Sequence, residues 1–148
     1  MPLPPDFARL AMEAIPFHRW LGLRIASGSV DGAHTEGYTH AVLPFRDELV
    51  GDPRRPALHG GILAAVLDAC GGFAVWSACD LAEDRVSTID MRIDYLKHAG
   101  PEPLVAEAHL VRLGNRVGVV DMRCWQASAP DTLVATAKGV YNVRRKGS

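Results

Sequence analysis

The stretch LHGGILAAVLDACGGFAVWSAC, residues 58–79, decides the fold of this chain. From Ile62 to Cys79, its only charged residue is Asp68. The length approaches the roughly 20 apolar residues that a membrane-spanning helix needs, but the stretch contains Gly71 and Gly72 and is followed by patterned strands. A helix that is apolar on every side is otherwise buried inside a fold. The stretch therefore predicts one long buried helix, reaching about residue 79, and no membrane span.

Strand patterns lie on both sides of this helix. Before it, Leu21, Leu23 and Ile25 alternate with other residues, Gly28–Gly32 is typical of a turn, and a second strand is predicted from about Ala33 to Leu43. After it, alternation and turn residues predict four more strands, at Ile89–Tyr95, Leu104–Arg112, Val117–Trp125 and Leu133–Val143. Two segments fall outside the pattern. Phe7–Ile15 predicts a short helix, about residues 6–15, and the proline-rich Pro44–Leu58 predicts a loop.

This order of elements favours an α+β fold in one domain, residues 1–148. Antiparallel strands joined by short turns form a single curved sheet, which needs apolar cover on its concave face. The helix predicted from residues 58–79 is the natural cover. A curved antiparallel sheet wrapped around one long central helix is the geometry known as the hotdog fold.

Composition limits the classes of molecule that this chain is expected to bind. The net charge of −1 gives no basic field for nucleic acid or for an anionic membrane surface. Cys70, Cys79 and Cys124 are an odd number in apolar stretches, so we expect free thiols that pack as small hydrophobes. Neither they nor the scattered histidines have metal-ligand spacing, so no metal is expected. The segment Met1–Asp6 lacks the features of a signal peptide, and a cytoplasmic location is the simplest expectation.

The Gly60-Gly61 pair lies where the loop becomes the helix. Glycine allows close approach to the backbone, and the first amides of a helix have no partner within it. With the helix dipole behind them, they can stabilise a carbonyl oxygen that gains negative charge. The alternative is a glycine-rich turn that only lets the helix begin. His59, at the same junction, is favoured as a brace of the loop over a catalytic base.

Asp68 is a carboxylate in the middle of an apolar helix. Leaving it there costs several kcal/mol unless it is paired or serves a site. Buried acids in clefts are candidate general bases or nucleophiles. The alternative is an ion pair across a subunit contact, for example with an arginine. We favour a catalytic carboxylate.

These residues resemble, in order and spacing, the PaaI-type group of hotdog acyl-CoA thioesterases. Asp68 follows His59-Gly60-Gly61 at nine residues from the histidine, and Gly72 comes four residues later. The resemblance continues over about residues 15–144, through Ser87-Thr88-Ile89-Asp90, Tyr95-Leu96-Lys97, Arg112-Leu113-Gly114-Asn115-Arg116 and Leu133-Val134-Ala135-Thr136-Ala137. A lone His-Gly-Gly is weak, but with the spaced acid and the strand motifs the pattern is specific.

The resemblance implies hydrolysis of an acyl-CoA thioester, with coenzyme A as part of the substrate and no separate cofactor. It implies that the amide of Gly60, beside Gly61, polarises the thioester carbonyl. It also implies that Asp68 of a neighbouring subunit activates water or attacks directly, in a homo-oligomer that is a dimer or a tetramer. Thr88 matches a residue near the attacking water, although an ordinary strand threonine is the alternative.

Other candidates concern the rest of the substrate. Coenzyme A carries phosphates, which need cations near the mouth of a cleft, and Lys97, Arg112 and Arg116 lie at a strand end and around a hairpin turn. The acyl group is expected in an apolar pocket between subunits. Its candidate lining residues are Leu63, Leu67 and Phe73.

The sequence also departs from the family pattern. Pro53 and Pro56 stand where an Asn and a Gly are common, and Ala69 follows the acid in place of Thr or Asn. The prolines keep open a second hypothesis, a non-catalytic acyl-CoA-binding protein. A third, an acyl-thioester dehydratase or hydratase, needs a histidine and an acid that converge on the substrate's α and β carbons. The longer proline- and phenylalanine-rich histidine motif of such enzymes is absent, so we rank this hypothesis last.

Overall fold

The structure is a computed structural model that describes residue 10, residues 14–30 and residues 33–148; the side chains of residues 26–35 lie outside that description. Its helices are α1 (Pro16–Leu21) and α2 (Gly60–Trp76), with a 3-10 turn at Asp47–Leu49. The strands are β1 (Arg24–Val30), β2 (Ala33–Leu43), β3 (Val50–Asp52), β4 (Ala57–Leu58), β5 (Arg85–Tyr95), β6 (Leu104–Leu113), β7 (Val117–Gln126) and β8 (Leu133–Arg144).

The six long strands form one antiparallel sheet in the order β1-β2-β6-β7-β8-β5. β1 and β5 are therefore its two edges. α2 packs across one face of the sheet, in contact with β2, β5, β6, β7 and β8. Strand side chains alternate between faces, and on β7 the inward Val120, Met122 and Cys124 are buried under α2. The predicted hotdog architecture is confirmed.

α2 is buried because apolar residues occupy nearly every side of it, among them Leu63, Val66 and Phe73. It ends at Trp76, three residues before the predicted end, because the amides of Ala78 and Cys79 bond to carbonyls three residues back rather than four. The Ser77 hydroxyl donates to the carbonyl of Ala74 and accepts from the amide of Gly37, both at 2.8 Å. This pair of bonds ties the end of α2 to β2.

No helix among the described residues is both long enough and apolar enough to span a membrane.

Two glycines make room for the ring of Tyr141 between the sheet and α2. A Cβ at Gly71 on α2 would lie 2.4 Å from the Tyr141 hydroxyl and 2.5 Å from the sulfur of Met122. A Cβ at Gly139 on β8 would lie 2.6 Å from the same ring. Real Cβ contacts are not this short, so only glycine at both positions allows the helix to approach Tyr141 this closely.

Several boundaries differ from the sequence predictions. Pro44–Leu58 is not a plain loop, since β3 and β4 pair in it as a short hairpin. Leu21 ends a helix instead of beginning a strand, because Gly22, at φ 74°, turns the chain between α1 and β1. β1 runs to Val30, into the predicted turn at Gly28–Gly32, whose last two residues lie outside the description. The helix predicted over residues 6–15 falls mostly outside the described residues, and the single domain over 1–148 stays a prediction.

Candidate active site

The start of α2 is held in place by His59. Its side chain caps the helix, with Nδ1 accepting the amide of Gly61 at 2.8 Å. Its own amide donates to the carbonyl of Leu49, also at 2.8 Å. These bonds fit the bracing role favoured for His59. They also engage the Gly61 amide, which the sequence groups with Gly60 as a candidate donor.

The amide of Gly60 is left free. After the amide of Gly61, which bonds to His59 Nδ1, the amides of Ile62 and Leu63 both donate to the carbonyl of His59. Within the described part of the chain, the Gly60 N–H has no acceptor. Gly60 is exposed, and its carbonyl accepts the hydroxyl of Tyr95 at 2.9 Å. One unsatisfied donor therefore points away from the first turn of α2, with the positive end of the helix dipole behind it.

Asp68 lies two turns further along α2, half-buried, and is oriented by two hydroxyl groups. Thr88 on β5 donates to Asp68 Oδ1 at 2.7 Å, and Tyr141 on β8 donates to the same oxygen at 3.2 Å. The Tyr141 hydroxyl also lies 3.1 Å from the Asp68 carbonyl. Among the described residues, Oδ2 has no hydrogen-bond partner and no cation pairs with the carboxylate. One oxygen is thus held, and the other is available.

Tyr141 is a site residue that the sequence reasoning missed. Its side chain is 1% exposed, and burial followed by the charge of Asp68 raises the pKa of its hydroxyl above the usual range. The hydroxyl therefore stays protonated as a donor to Asp68. In the sequence, the only sign of this role was the aromatic residue itself, two residues after Gly139 in the last predicted strand. Its partner Asp68 is 73 residues away, so no local motif links the two.

A cavity of 470 Å³ opens beside Asp68. One wall is a stripe of α2, made of Asp68, Ala69, Gly72, Phe73 and Trp76. Thr88 and Tyr141 line it from the sheet, and Ile15 and His18 close it from the N-terminal side. Phe73, a candidate from the sequence for the acyl pocket, lines this cavity. His18 was missed, because nothing in its local pattern sets it apart.

A second cavity, of 440 Å³, lies at the start of α2. Gly60, Leu63, Tyr95 and Lys97 line it. The structure therefore places Lys97, a candidate for the phosphates of coenzyme A, beside the free amide. Leu67, a candidate for the acyl pocket, is 0% exposed and belongs to the core. Arg112 and Arg116 are exposed near the β6–β7 turn and line neither cavity.

A third cavity, of 720 Å³, lies on the opposite face of the sheet from α2. Its charges are paired with each other: Arg92 lies 3.1 Å from Asp94, and Lys138 lies 2.9 Å from Asp121. Neither Gly60 nor Asp68 lines this cavity.

The cysteines do not supply a nucleophile. Cys70 and Cys124 are buried and Cys79 is half-buried, all as free thiols. Burial raises the pKa of Cys124 to about 11 and raises the pKa of Cys70 as well. Thiols that stay protonated are poor nucleophiles, which confirms their predicted role as small packing groups.

Comparison with known proteins gives a consistent result. Residues 56–137 match the family model described as the thioesterase superfamily. The protein VNG_1336C of Halobacterium salinarum is 35% identical over 149 residues, covering 95% of this chain and 94% of its own. A protein of Escherichia coli named medium/long-chain acyl-CoA thioesterase YigI is 29% identical, with 87% and 86% covered.

Solved structures share the fold. A thioesterase family protein from Silicibacter pomeroyi aligns with a TM-score of 0.81 and 22% identity, covering 95% of this chain and 97% of that one. The E. coli PaaI protein from the phenylacetic acid degradation operon aligns with a TM-score of 0.77 and 20% identity, covering 95% and 91%. At these identities the likeness shows the fold alone.

Proposed function

The chain belongs to the thioesterase superfamily and is a thioester hydrolase, and from this premise we propose that it hydrolyses an acyl-CoA to a free acid and coenzyme A. The amide of Gly60 polarises the thioester carbonyl, and Asp68 of a neighbouring subunit serves as the general base. The observation that carries the proposal is the state of Asp68. Its carboxylate borders a cavity with one oxygen held by Thr88 and Tyr141 and the other free.

The distance between Gly60 and Asp68 supports the participation of a second subunit. Gly60 and Asp68 are eight residues apart on α2, about 12 Å along its axis at 1.5 Å per residue. A reacting carbonyl needs its oxyanion donor and its activated water each within about 3 Å. This separation supports a site between two chains, in which one chain supplies Gly60 and the other supplies Asp68.

β5 offers the surface for that contact. It is an edge strand, bonded to β8 on one side only. Ile89 and Tyr95 on it are 57% and 54% exposed, and the adjacent Leu96 is 58% exposed. An unpaired strand edge that carries exposed apolar side chains favours pairing with another strand. Antiparallel pairing of two β5 strands about a two-fold axis makes the two α2 helices antiparallel, with each Asp68 facing the partner's Gly60.

We propose that the free oxygen of Asp68 acts as a general base, although the same oxygen is equally available for the alternative, direct attack on the thioester carbon. Oδ2 accepts a proton from water, and the resulting hydroxide adds to the thioester carbon. The negative charge that develops on the carbonyl oxygen is stabilised by the Gly60 N–H. The carbon–sulfur bond then breaks, and the leaving thiolate takes the proton back from Asp68. The products are the acid and the thiol, and Asp68 is regenerated.

The two cavities divide the substrate between them. Lys97, near Gly60, is positioned for a phosphate of coenzyme A, and the cavity beside Asp68 takes the acyl chain. The α2 stripe from Asp68 to Trp76 also spans eight residues, about 12 Å. The name of the E. coli relative covers medium and long chains, and within that range this length favours medium-chain acyl groups.

The rival functions have less support. Pro53 and Pro56 lie exposed between β3 and β4, and the cap at His59 forms in spite of them. A dehydratase or hydratase needs a histidine as an acid or base, and His59, the histidine next to Gly60, has its Nδ1 committed to the Gly61 amide.

The proposal is tested by thiol release from a panel of short-, medium- and long-chain and aryl acyl-CoAs, followed with a thiol-reactive dye. We expect release from medium-chain substrates and none above background in Asp68→Asn. Wild-type protein that is folded and oligomeric but releases thiol from no member of the panel would contradict the proposal. Tight binding of an acyl-CoA without release would then favour a binding protein.

A further inference from the structure

His18 is a polar side chain in the wall of the cavity beside Asp68. It comes from α1 and is 9% exposed, so more than nine-tenths of it is buried. Its ring is tilted at 56° against Phe73, with the ring centroids 5.7 Å apart. The contact places His18 next to the middle of the α2 stripe that lines the cavity.

The ring of His18 lacks the hydrogen bond that a buried histidine usually has. Its Nδ1 is buried, and among the described residues it has no partner. Buried polar groups are nearly always paired, and each exception calls for an explanation. A ligand that enters the cavity is one, once the ring turns to bring its buried Nδ1 toward the ligand, because His18 lines the same cavity as Asp68 and Thr88.

The charge state of His18 suits recognition of a neutral group. Burial lowers the pKa of His18 below its usual value, and the attraction of Asp68 only partly opposes this effect. At neutral pH the imidazole is therefore uncharged, with one nitrogen that donates and one that accepts. Since none of the described residues fixes which nitrogen carries the proton, the ring can adapt to a hydroxyl group, which both donates and accepts.

We propose that His18 hydrogen-bonds a hydroxyl group on the acyl chain, so that the enzyme prefers hydroxylated acyl-CoAs to unsubstituted ones of equal length. The expected position of the hydroxyl follows from α2. Phe73, which His18 contacts, is five residues beyond Asp68, about 7.5 Å along the helix axis. An extended chain advances about 1.2 Å per bond, so a hydroxyl on the sixth carbon reaches His18 when the carbonyl lies beside Asp68.

This inference rests on the proposed function, and a matched pair of substrates tests it separately. In heptanoyl-CoA a methyl group takes the place of the hydroxyl of 6-hydroxyhexanoyl-CoA. For the wild-type oligomer we expect kcat/KM about tenfold higher for the hydroxylated substrate. His18→Phe, which keeps an aromatic ring against Phe73 and removes the polar atoms, is expected to bring the ratio to one or below.

A wild-type preference for heptanoyl-CoA, or the same ratio in wild type and His18→Phe, would overturn the inference. If His18→Phe does not fold, His18→Asn replaces it and the wild-type ratio still decides. If no acyl-CoA is hydrolysed at all, the proposed function fails. The inference is then tested by calorimetric binding of the two thioesters to wild-type protein, where tighter binding of the hydroxylated one supports it and equal affinities overturn it.

Discussion

The start of α2 and its middle hold the two halves of the proposed catalytic pair, and they are built differently. At the start, Gly60 is exposed and its amide has no acceptor among the described residues. In the middle, Asp68 is held from β5 by Thr88 and from β8 by Tyr141. The first group depends on a ligand to satisfy it, whereas the second is oriented before any ligand arrives.

The two groups differ in what they cost the stability of the fold. A free backbone donor at a helix start has little cost while it is exposed to water. A half-buried carboxylate needs donors fixed around it, and Gly71 and Gly139 allow one of those donors to approach. The middle of α2 is therefore expected to tolerate substitution less well than its start. At the start, the substitution expected to be damaging is one that removes the Gly60 amide itself.

Removal of the charge at Asp68 is the most damaging change. Asp68→Asn keeps the shape of the side chain but cannot accept the proton of water, and a general base contributes about 10²–10⁴-fold to rate. We expect kcat to fall by about 10³-fold, measured as thiol release from a medium-chain acyl-CoA. Asp121→Asn, at an exposed carboxylate on the opposite face of the sheet, serves as the control. Equal loss in both variants would remove the special role of Asp68.

Deletion of the Gly60 N–H is expected to rank second. Gly60→Pro removes this donor alone, and proline suits the first position of a helix. The preceding His59 has ψ 134°, which is compatible with a following proline. Loss of one oxyanion donor costs about 10²–10³-fold in kcat. Gly60→Ala retains the N–H, and its Cβ would lie no closer than 3.4 Å to Tyr95, so it should retain most activity. Similar losses of kcat in Gly60→Pro and Gly60→Ala would indicate that the added side-chain atoms, and not the missing N–H, cause the effect.

The two hydroxyl donors to Asp68 should have smaller effects. Thr88→Val and Tyr141→Phe each remove one donor while preserving shape, and we expect each to lower kcat by about tenfold. Thr88→Val should be the more severe, since its bond is 2.7 Å against 3.2 Å. In the double variant the losses should not simply multiply, because both donors act on one oxygen. Wild-type rates in both single variants would show that Asp68 needs no orientation.

The smallest expected effect is on stability. It is measured by substituting two adjacent glycines of α2. In Gly71→Ala the new Cβ meets Tyr141 and Met122, and overpacking costs about 1–3 kcal/mol. In Gly72→Ala the nearest atom of Tyr141 is at 3.6 Å, an ordinary contact, and the gain in helix propensity is about 1 kcal/mol. Thermal unfolding should therefore show a lower Tm for the first and an unchanged or higher Tm for the second. The reverse order would contradict the packing described for Tyr141.

Most of the fold was predictable because its signals are local. Alternation located β2 and the four strands after α2 to within a few residues, and the apolar run at residues 62–79 located the helix. The hairpin of β3 and β4 was not predictable, since strands of two or three residues have no period to detect. α1 was missed because the alternation of Leu21, Leu23 and Ile25 resembles a strand.

The site was predictable only in part. The spacing of His59, Gly60 and Asp68 is a local motif, and Thr88 followed from the family resemblance. Tyr141 and His18 reach the same cavity from β8 and α1. Such contacts are set by sheet order and helix packing, which residue spacing does not encode. The sequence also could not separate Phe73, which lines the cavity, from Leu67, which is buried in the core.

The central claim is that Gly60 of one subunit works with Asp68 of its neighbour, and hybrid oligomers test it most directly. Gly60→Pro and Asp68→Asn chains carrying different affinity tags are co-expressed, and the hybrids are purified through both tags. If each site combines two chains, one of the two sites in a hybrid dimer is intact, and activity should return to about half that of wild type. Hybrids as inactive as the two parent variants would contradict the claim, since every site would then lie within one chain.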